Sequence, residues 1–304
     1  MNNLTLRQLR YFEALARQGH FGRAAEACSV SQPALSLQIR DLEESLGVDL
    51  FERSPRQVRL TRFGEEFAPR VRDILRAVDE LGDLARASQS WLSGRLRVGV
   101  IPTVAPYLLP AIVASLNRLH PGLDIHVRET LTARLLRELS EGRLDAAIVA
   151  LPVSDPSFTE VTLFAEEFLL VRHADDAPEP VPSAEMLKEM RLLLLEEGHC
   201  FRDQALAFCN MASSLPREML EGSSLSTLVQ MVGAGIGVTF IPEMAAPVET
   251  RSAAVSLARF ADPKPHRTIG MIWRRSSPLS GQLQHIAGIV QQAADALRGS
   301  LHRA

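Results

Sequence analysis

The chain has 304 residues, 46% of them hydrophobic and 23% charged, with a formal net charge of −3. That is enough chain for two or three domains with cores of their own. The near balance of charge excludes a chain-wide attraction to nucleic acid, so any such role must sit in a local patch. The first residues lack an unbroken apolar stretch, and the longer apolar runs are interrupted by proline or charge. Neither a signal peptide nor a membrane span is therefore expected. The expected location is the cytoplasm, where a functional disulfide is usually catalytic or sensory.

In chain order, Leu6, Leu9, Phe12 and Leu15 recur at near-helical spacing and predict a first helix. HFGRAAEAC, residues 20–28, predicts a short second one. Ser31 suits the N-cap of a third, Pro33 its first turn, and Gly47 its end. Leu35, Ile39, Leu42 and Leu46 form the buried stripe of that helix, and Gln32, Ser36, Gln38 and Arg40 its outer face. Two short helices so arranged read as a helix-turn-helix. LFERSPRQVRLT, residues 50–61, reads as a two-stranded wing with Ser54 and Pro55 at its tip. Its arginines, Arg53, Arg56 and Arg59, suit phosphates or a minor groove. Residues 1–62 hold nine arginines, seven acidic residues and no lysine, so this region is only mildly basic. The bland alternative is an ordinary helical domain with a solvated polar face.

Thr61 can cap a long helix on which Phe67, Val71, Ile74, Val78, Leu81 and Ala85 follow at steps of four and three. That 3.5-residue period suits a two-helix seam, and so a dimer. A dimer would present two reading helices to two DNA half-sites. After a hinge expected at SQSWLSG, residues 88–94, the pattern changes. RLRVGVI, LDIHVRET and LDAAIVAL read as strands, alternating with helices at APYLLPAIVASLNRLHP and TARLLRELSEG. This βαβαβ order predicts an α/β sheet with parallel strands. Further strands are expected at TLFAEEFLLVRH, RLLLLEE, GIGVTFIP and PHRTIGMIWRR, with helices at SSLSTLVQMVGAG and GQLQHIAGIVQQAADAL. The expected divisions are residues 1–60, 61–90 and 91–304.

GHCFRDQALAFC, residues 198–209, holds two of the three cysteines. In one helix, their nine-residue separation turns the chain by ~900° and places the thiols ~13 Å apart along the axis, on opposite faces. A disulfide needs Cα atoms roughly 4.4–6.8 Å apart, so such a pair bonds only if the segment unwinds. Cys200 follows Gly198 and is flanked by His199 and Arg202, whose positive charge, with a helix N-terminus, would favour a thiolate. The bland alternatives are that both cysteines are small buried hydrophobes and His199 a buried histidine. Arg267 can equally be an ion-pair partner inside its lobe, and Thr103 and Thr132 caps or turn residues. Cys28 is expected to pack in the core of the first region. There is no CxxC, HExxH or GxxxxGK[ST], so no metal, cofactor or nucleoside triphosphate is expected.

The stretches LRQLRYFEALARQGHFGRAAEACSVSQPALSLQIRDLEESLGVDLFER and VRLTRFGEEF resemble those of LysR-type transcriptional regulators, and the resemblance runs over essentially the whole chain. It implies an α+β multidomain protein. An N-terminal winged helix-turn-helix would be joined by a long linker helix to a C-terminal α/β domain of two lobes, like a periplasmic binding protein. It also implies binding to double-stranded promoter DNA through Ser31, Gln32, Pro33, Ser36, Gln38, Arg40, Arg53 and Arg56. Homodimers or homotetramers, contact with RNA polymerase and activation of transcription are further implications. IPTVAPYLLP, LEEGHCFRDQALAFC and PHRTIGMIWRRSSPL resemble the hydrogen-peroxide-sensing branch of the family. That likeness supplies Cys200 as the peroxidatic cysteine, Cys209 as the resolving one, and a pocket around Thr103, Thr132, His199 and Arg267. Arg267 would supply charge there, and cellular thiol reductants such as glutaredoxin would reset the disulfide. The chain departs from the branch at Met219, where some members carry histidine, and across Asn210 to Ser224. Two other readings compete: a regulator of the same family that binds a small organic effector, and a thiol peroxidase. The helix-turn-helix and linker helix argue against an enzyme.

Overall fold

The structure is a computed structural model that describes residues 4–53, 57–87, 94–210 and 221–301. The chain divides into two compact units, residues 1–85 and 86–304.

The first unit opens with α1 (Leu6–Gln18), whose start is closed by a capping box: Gln8 N–H donates to Thr5 Oγ1 and Thr5 N–H to Gln8 Oε1. α2 (Phe21–Ala27) is capped by the His20 ring, and α3 (Gln32–Leu46) by Ser31, whose Oγ accepts from Ala34 N–H at 3.4 Å. Gly47 ends α3 in the left-handed conformation. Leu35, Ile39 and Leu42 are fully buried, and Leu46 is half-buried at the edge of the stripe. β1 (Phe51–Arg53) and β2 (Val58–Leu60) pair antiparallel as the wing. Its tip, Ser54 and Pro55, lies outside the described residues, as does Arg56. Buried Glu43 accepts the Leu50 and Phe51 N–H groups, tying the end of α3 to the start of the wing. Cys28 packs partly buried against the same core, as its sequence context suggests.

α4 (Arg62–Ala87) is capped by Thr61, which accepts from Gly64 N–H at 3.0 Å. Its apolar stripe is not one continuous seam. Val71 is fully buried in the core of the first unit, and Phe67 packs edge-on to Phe12 with ring centroids 5.2 Å apart. Only the later positions are open: Ile74 is 47% exposed and Leu81 67%. The first turns of the helix thus complete the helical core, because Phe12 and the wing leave an apolar face that Phe67 and Val71 cover. The predicted hinge at residues 88–94 lies outside the described residues except for Gly94, which opens the next strand.

The second unit is built on a seven-stranded sheet. β3 (Gly94–Val100), α5 (Ala105–Leu119), β4 (Leu123–Glu129), α6 (Thr132–Ser140) and β5 (Ala146–Leu151) realise the predicted βαβαβ order, with β3 parallel to both β4 and β5. The sheet as a whole is mixed, a correction to the parallel expectation. β6 (Phe158–His173) runs antiparallel to the late strand at residues 266–274, which in turn runs antiparallel to β5. At 16 residues β6 is long enough to serve both lobes.

α7 (Ala184–Leu187), β7 (Leu194–Leu195), α8 (Cys200–Phe208), β8 (Glu221–Gly222) and α9 (Leu225–Gly233) follow. RLLLLEE yields only the two-residue β7, paired in parallel with β8. β9 (Thr239–Pro242), α10 (Ala246–Glu249), β10 (Val255–Arg259), β11 (His266–Arg274) and α11 (Ser280–Leu301) complete the unit. The first half of β6 pairs with β11, and the second half with β9 and β10. No helix among the described residues is long and apolar enough to cross a membrane.

Candidate functional site

Three chain segments converge beside the start of α8. Ile101, Pro102 and Thr103 come from the loop after β3, Leu131 and Thr132 from the start of α6, and Gly198 to Phe201 from the start of α8. The first two segments lie at the carboxyl ends of parallel strands, the place where open α/β sheets form ligand crevices. Gly198 adopts φ +96°, a left-handed conformation that glycine reaches without steric cost, and it turns the chain into the helix. A Cβ there would also lie 3.1 Å from Leu131. His199 is the N-cap of α8, and Cys200 its first residue.

Four of the six predicted sensor residues therefore line one cleft: Thr103, Thr132, His199 and Cys200. Thr132 Oγ1 is buried and has no hydrogen-bond partner among the described residues. Burial lowers the pKa of His199 against an opposing pull from Glu196, which favours the neutral imidazole. Cys200 is half-buried, and all three cysteines are free thiols.

Arg267 stands behind the cleft and reaches it through Thr103. Its Nη1 donates to Thr103 Oγ1 at 2.7 Å and its Nη2 to the Thr103 carbonyl at 3.0 Å. Glu166 lies directly across the β6–β11 ladder, and its Oε1 takes Arg267 Nε at 2.8 Å and Nη2 at 2.7 Å. Both side chains are at most 1% exposed. Arg267 is thus a buried ion-pair partner, the alternative its sequence context equally allowed. A guanidinium this deeply buried requires a counterion, and Glu166 balances it. Sequence reading missed Glu166, although a signal was present. Phe164, Glu166 and Phe168 share one strand face, so an acid at that position is buried between two phenylalanines.

Cys209 does not line the cleft. It ends α8, is fully buried in the core of the unit, and its thiol pKa is pushed up to about 11 by burial. Aromatic contacts hold the helix at both ends: Phe201 against Phe168 at 4.7 Å, and Phe208 against Phe260 at 5.0 Å. Arg202 does not serve Cys200 as sequence proximity suggests. It donates to the Leu195 carbonyl at 2.9 Å and pairs with Glu221 at 2.6 Å, anchoring α8 to β7 and β8. Met219 lies outside the described residues.

On the first unit, α3 exposes Gln32, Pro33 and Arg40 and half-exposes Ser36 and Gln38. Gln38 spends its amide on Asp41, and Ser31 caps the helix. Arg53 ends β1; its side chain lies outside the described residues.

A winged helix-turn-helix and a two-lobed α/β unit with a cleft at its strand ends define a class of bacterial transcriptional regulator. The family model for the bacterial regulatory helix-turn-helix protein, lysR family, matches residues 6–65, and that for the LysR substrate binding domain matches residues 90–295. The chain belongs to the LysR family, a family of DNA-binding regulators rather than enzymes. Within it, the chain is 41% identical over 295 residues to the DNA-binding transcriptional dual regulator OxyR of Escherichia coli (strain K12), covering 96% of each protein. It is 44% identical over 294 residues to a probable hydrogen peroxide-inducible genes activator of Streptomyces viridosporus, covering 95% of this chain and 94% of that one. Among solved structures it is similar to a full-length OxyR variant from Pseudomonas aeruginosa, with TM-score 0.75, 37% identity and 95% of each chain covered. It is also similar to a hydrogen-peroxide-bound mutant of Corynebacterium glutamicum OxyR, with TM-score 0.67, 35% identity, and 98% and 95% covered.

Proposed function

We propose that this chain is a hydrogen-peroxide-responsive activator of transcription that switches through Cys200 and Cys209. The carrying observation is the cleft itself. A half-buried thiol at a helix start shares it with two threonine hydroxyls, one of them without a partner among the described residues, and a histidine whose pKa burial lowers. The named relatives support the choice of peroxide as ligand.

The Cys200 thiolate attacks one peroxide oxygen. The S–O bond forms, the O–O bond breaks, and hydroxide leaves to be protonated to water. Thr103, Thr132 and His199 orient the peroxide and support the leaving oxygen. Cys209 then attacks the sulfenic sulfur as thiolate. The S–S bond forms, the S–O bond breaks, and the departing hydroxide combines with the thiol proton as a second water.

The helix must unwind first, because nine residues of α8 separate the sulfurs by ~13 Å along its axis. Unwinding removes the aromatic and Arg202 contacts described above and frees Cys209 from the core. The rearranged segment alters the regulatory units of a homodimer or homotetramer and so re-spaces its reading heads on promoter DNA. Ser31, Gln32, Pro33, Ser36, Gln38, Arg40, Arg53 and Arg56 make the DNA contacts, RNA polymerase is the downstream partner, and thiol reductants such as glutaredoxin reset the bond.

Thiol mapping by intact mass before and after stoichiometric peroxide tests this reading. The expected result is loss of two hydrogens mapped to a Cys200–Cys209 bond, abolished in Cys200→Ser. Two free thiols after treatment, or an unchanged disulfide yield in Cys200→Ser, would sink it.

A further inference from the structure

The Thr103 hydroxyl has its hydrogen-bond polarity decided for it. A guanidinium only donates, so in the 2.7 Å contact with Arg267 Nη1 the threonine oxygen is the acceptor. Its own O–H proton is left for another partner, and Thr103 lines the cleft beside Cys200. Arg267 is held in that pose by Glu166. One carboxylate oxygen takes Nε and Nη2, and the other accepts the Met244 N–H at 3.2 Å. The guanidinium face is further covered by the Phe201 ring, 5.3 Å away, next in sequence to Cys200.

We propose that Glu166 is a positioning residue for the peroxide reaction: through Arg267 it holds the Thr103 hydroxyl as a donor toward an oxygen ligand in the cleft. The inference rests on the peroxide reading above. As the O–O bond breaks, charge grows on the leaving oxygen, and a pre-aimed donor stabilises it without reorganising. Stability is a weak reason for keeping the pair as a whole, since buried ion pairs commonly return little more than their desolvation cost. An apolar replacement would fill the space but leave the Thr103 hydroxyl free to rotate.

Two rates on the full-length chain test this: oxidation of Cys200 by hydrogen peroxide, and its alkylation by iodoacetamide, which needs no donor on a leaving oxygen. In Glu166→Gln, oxidation is expected to slow by about 10- to 100-fold while alkylation stays within about threefold of the parent. The double variant Thr103→Val/Glu166→Gln is expected to be no slower than Thr103→Val alone. Glu166→Asp, which keeps the charge, is read by the same ratio if Glu166→Gln does not fold. Equal loss in both reactions, no loss in either, or additive losses in the double variant would overturn the inference. A parent protein that alkylates yet is inert to peroxide would overturn the sensor reading itself, and this inference with it.

Discussion

Cys200 and Cys209 differ in surroundings more than their shared helix suggests. Cys209 is fully buried, and burial raises its thiol pKa to about 11 from an ordinary 9.0. At pH 8 only roughly one Cys209 in a thousand is a thiolate, so in the folded dithiol form it should resist alkylation while Cys200 reacts. Peptide mapping after a short iodoacetamide pulse, with and without denaturant, checks this; equal labelling of both in the folded protein would refute it. The raised pKa also has a stability consequence. The unfolded thiol ionises first, so this contribution is intact below pH 9 and is lost as pH rises toward 11. Thermal melts between those values should show a decline that Cys209→Ala makes shallower. Thr103 and Thr132 illustrate how far sequence could go at this scale. Nothing in their local patterns separates a pocket hydroxyl from a helix cap, and they are marked by family likeness alone. Glu166 was legible only through the alternation of its strand.

At the scale of elements, α8 carries the tension in the proposed switch. Its reduced form is held by Phe201 and Phe208 and by Arg202, which ties the first turn to β7 and β8. Removing an anchor that serves only the helical form should tilt the balance toward the disulfide. Arg202→Ala is expected to cost the reduced form about 1.4 kcal/mol, making the disulfide midpoint ~30 mV more negative. A glutathione redox titration checks it, with thermal melts of the reduced protein alongside. An unchanged midpoint would mean that Arg202 keeps its partners in both forms. Helix limits were readable from caps and periodicity: Ser31, Thr61 and Gly47 act where local chemistry places them. β10 and the brevity of β7 were not, because a strand's extent depends on partners that are remote in sequence.

For the whole molecule, the question is what covers the later turns of α4. Phe67 and Val71 are spent on the core of the first unit, whereas Ile74, Leu81 and Leu84 are 47%, 67% and 59% exposed. Large apolar side chains grouped on a helix face favour a second copy of the helix. Leu81→Glu should therefore weaken self-association by about tenfold or more while the helix-turn-helix stays folded. Sedimentation equilibrium over a concentration series reads the first effect and circular dichroism the second. A variant that self-associates as tightly as the parent would remove this face from the dimer.

The sequence by itself determined what rests on short-range chemistry: the capped helices of the reading head, the wing, the βαβαβ order, and the pair of cysteines too far apart to bond within one helix. Periodicity, capping and backbone restriction act over a few residues, so they can be read in order. Only the tertiary structure decided that β6 and β11 run antiparallel through the sheet, that Phe67 and Val71 of the α4 stripe belong to a core, and that Arg267 meets Glu166 rather than standing as a bare charge. Those outcomes join residues up to 116 positions apart (274 − 158), as Phe158 and Arg274 are. The cost of leaving a buried charge or an apolar face without a partner selects them, and that cost exists only once the chain has folded.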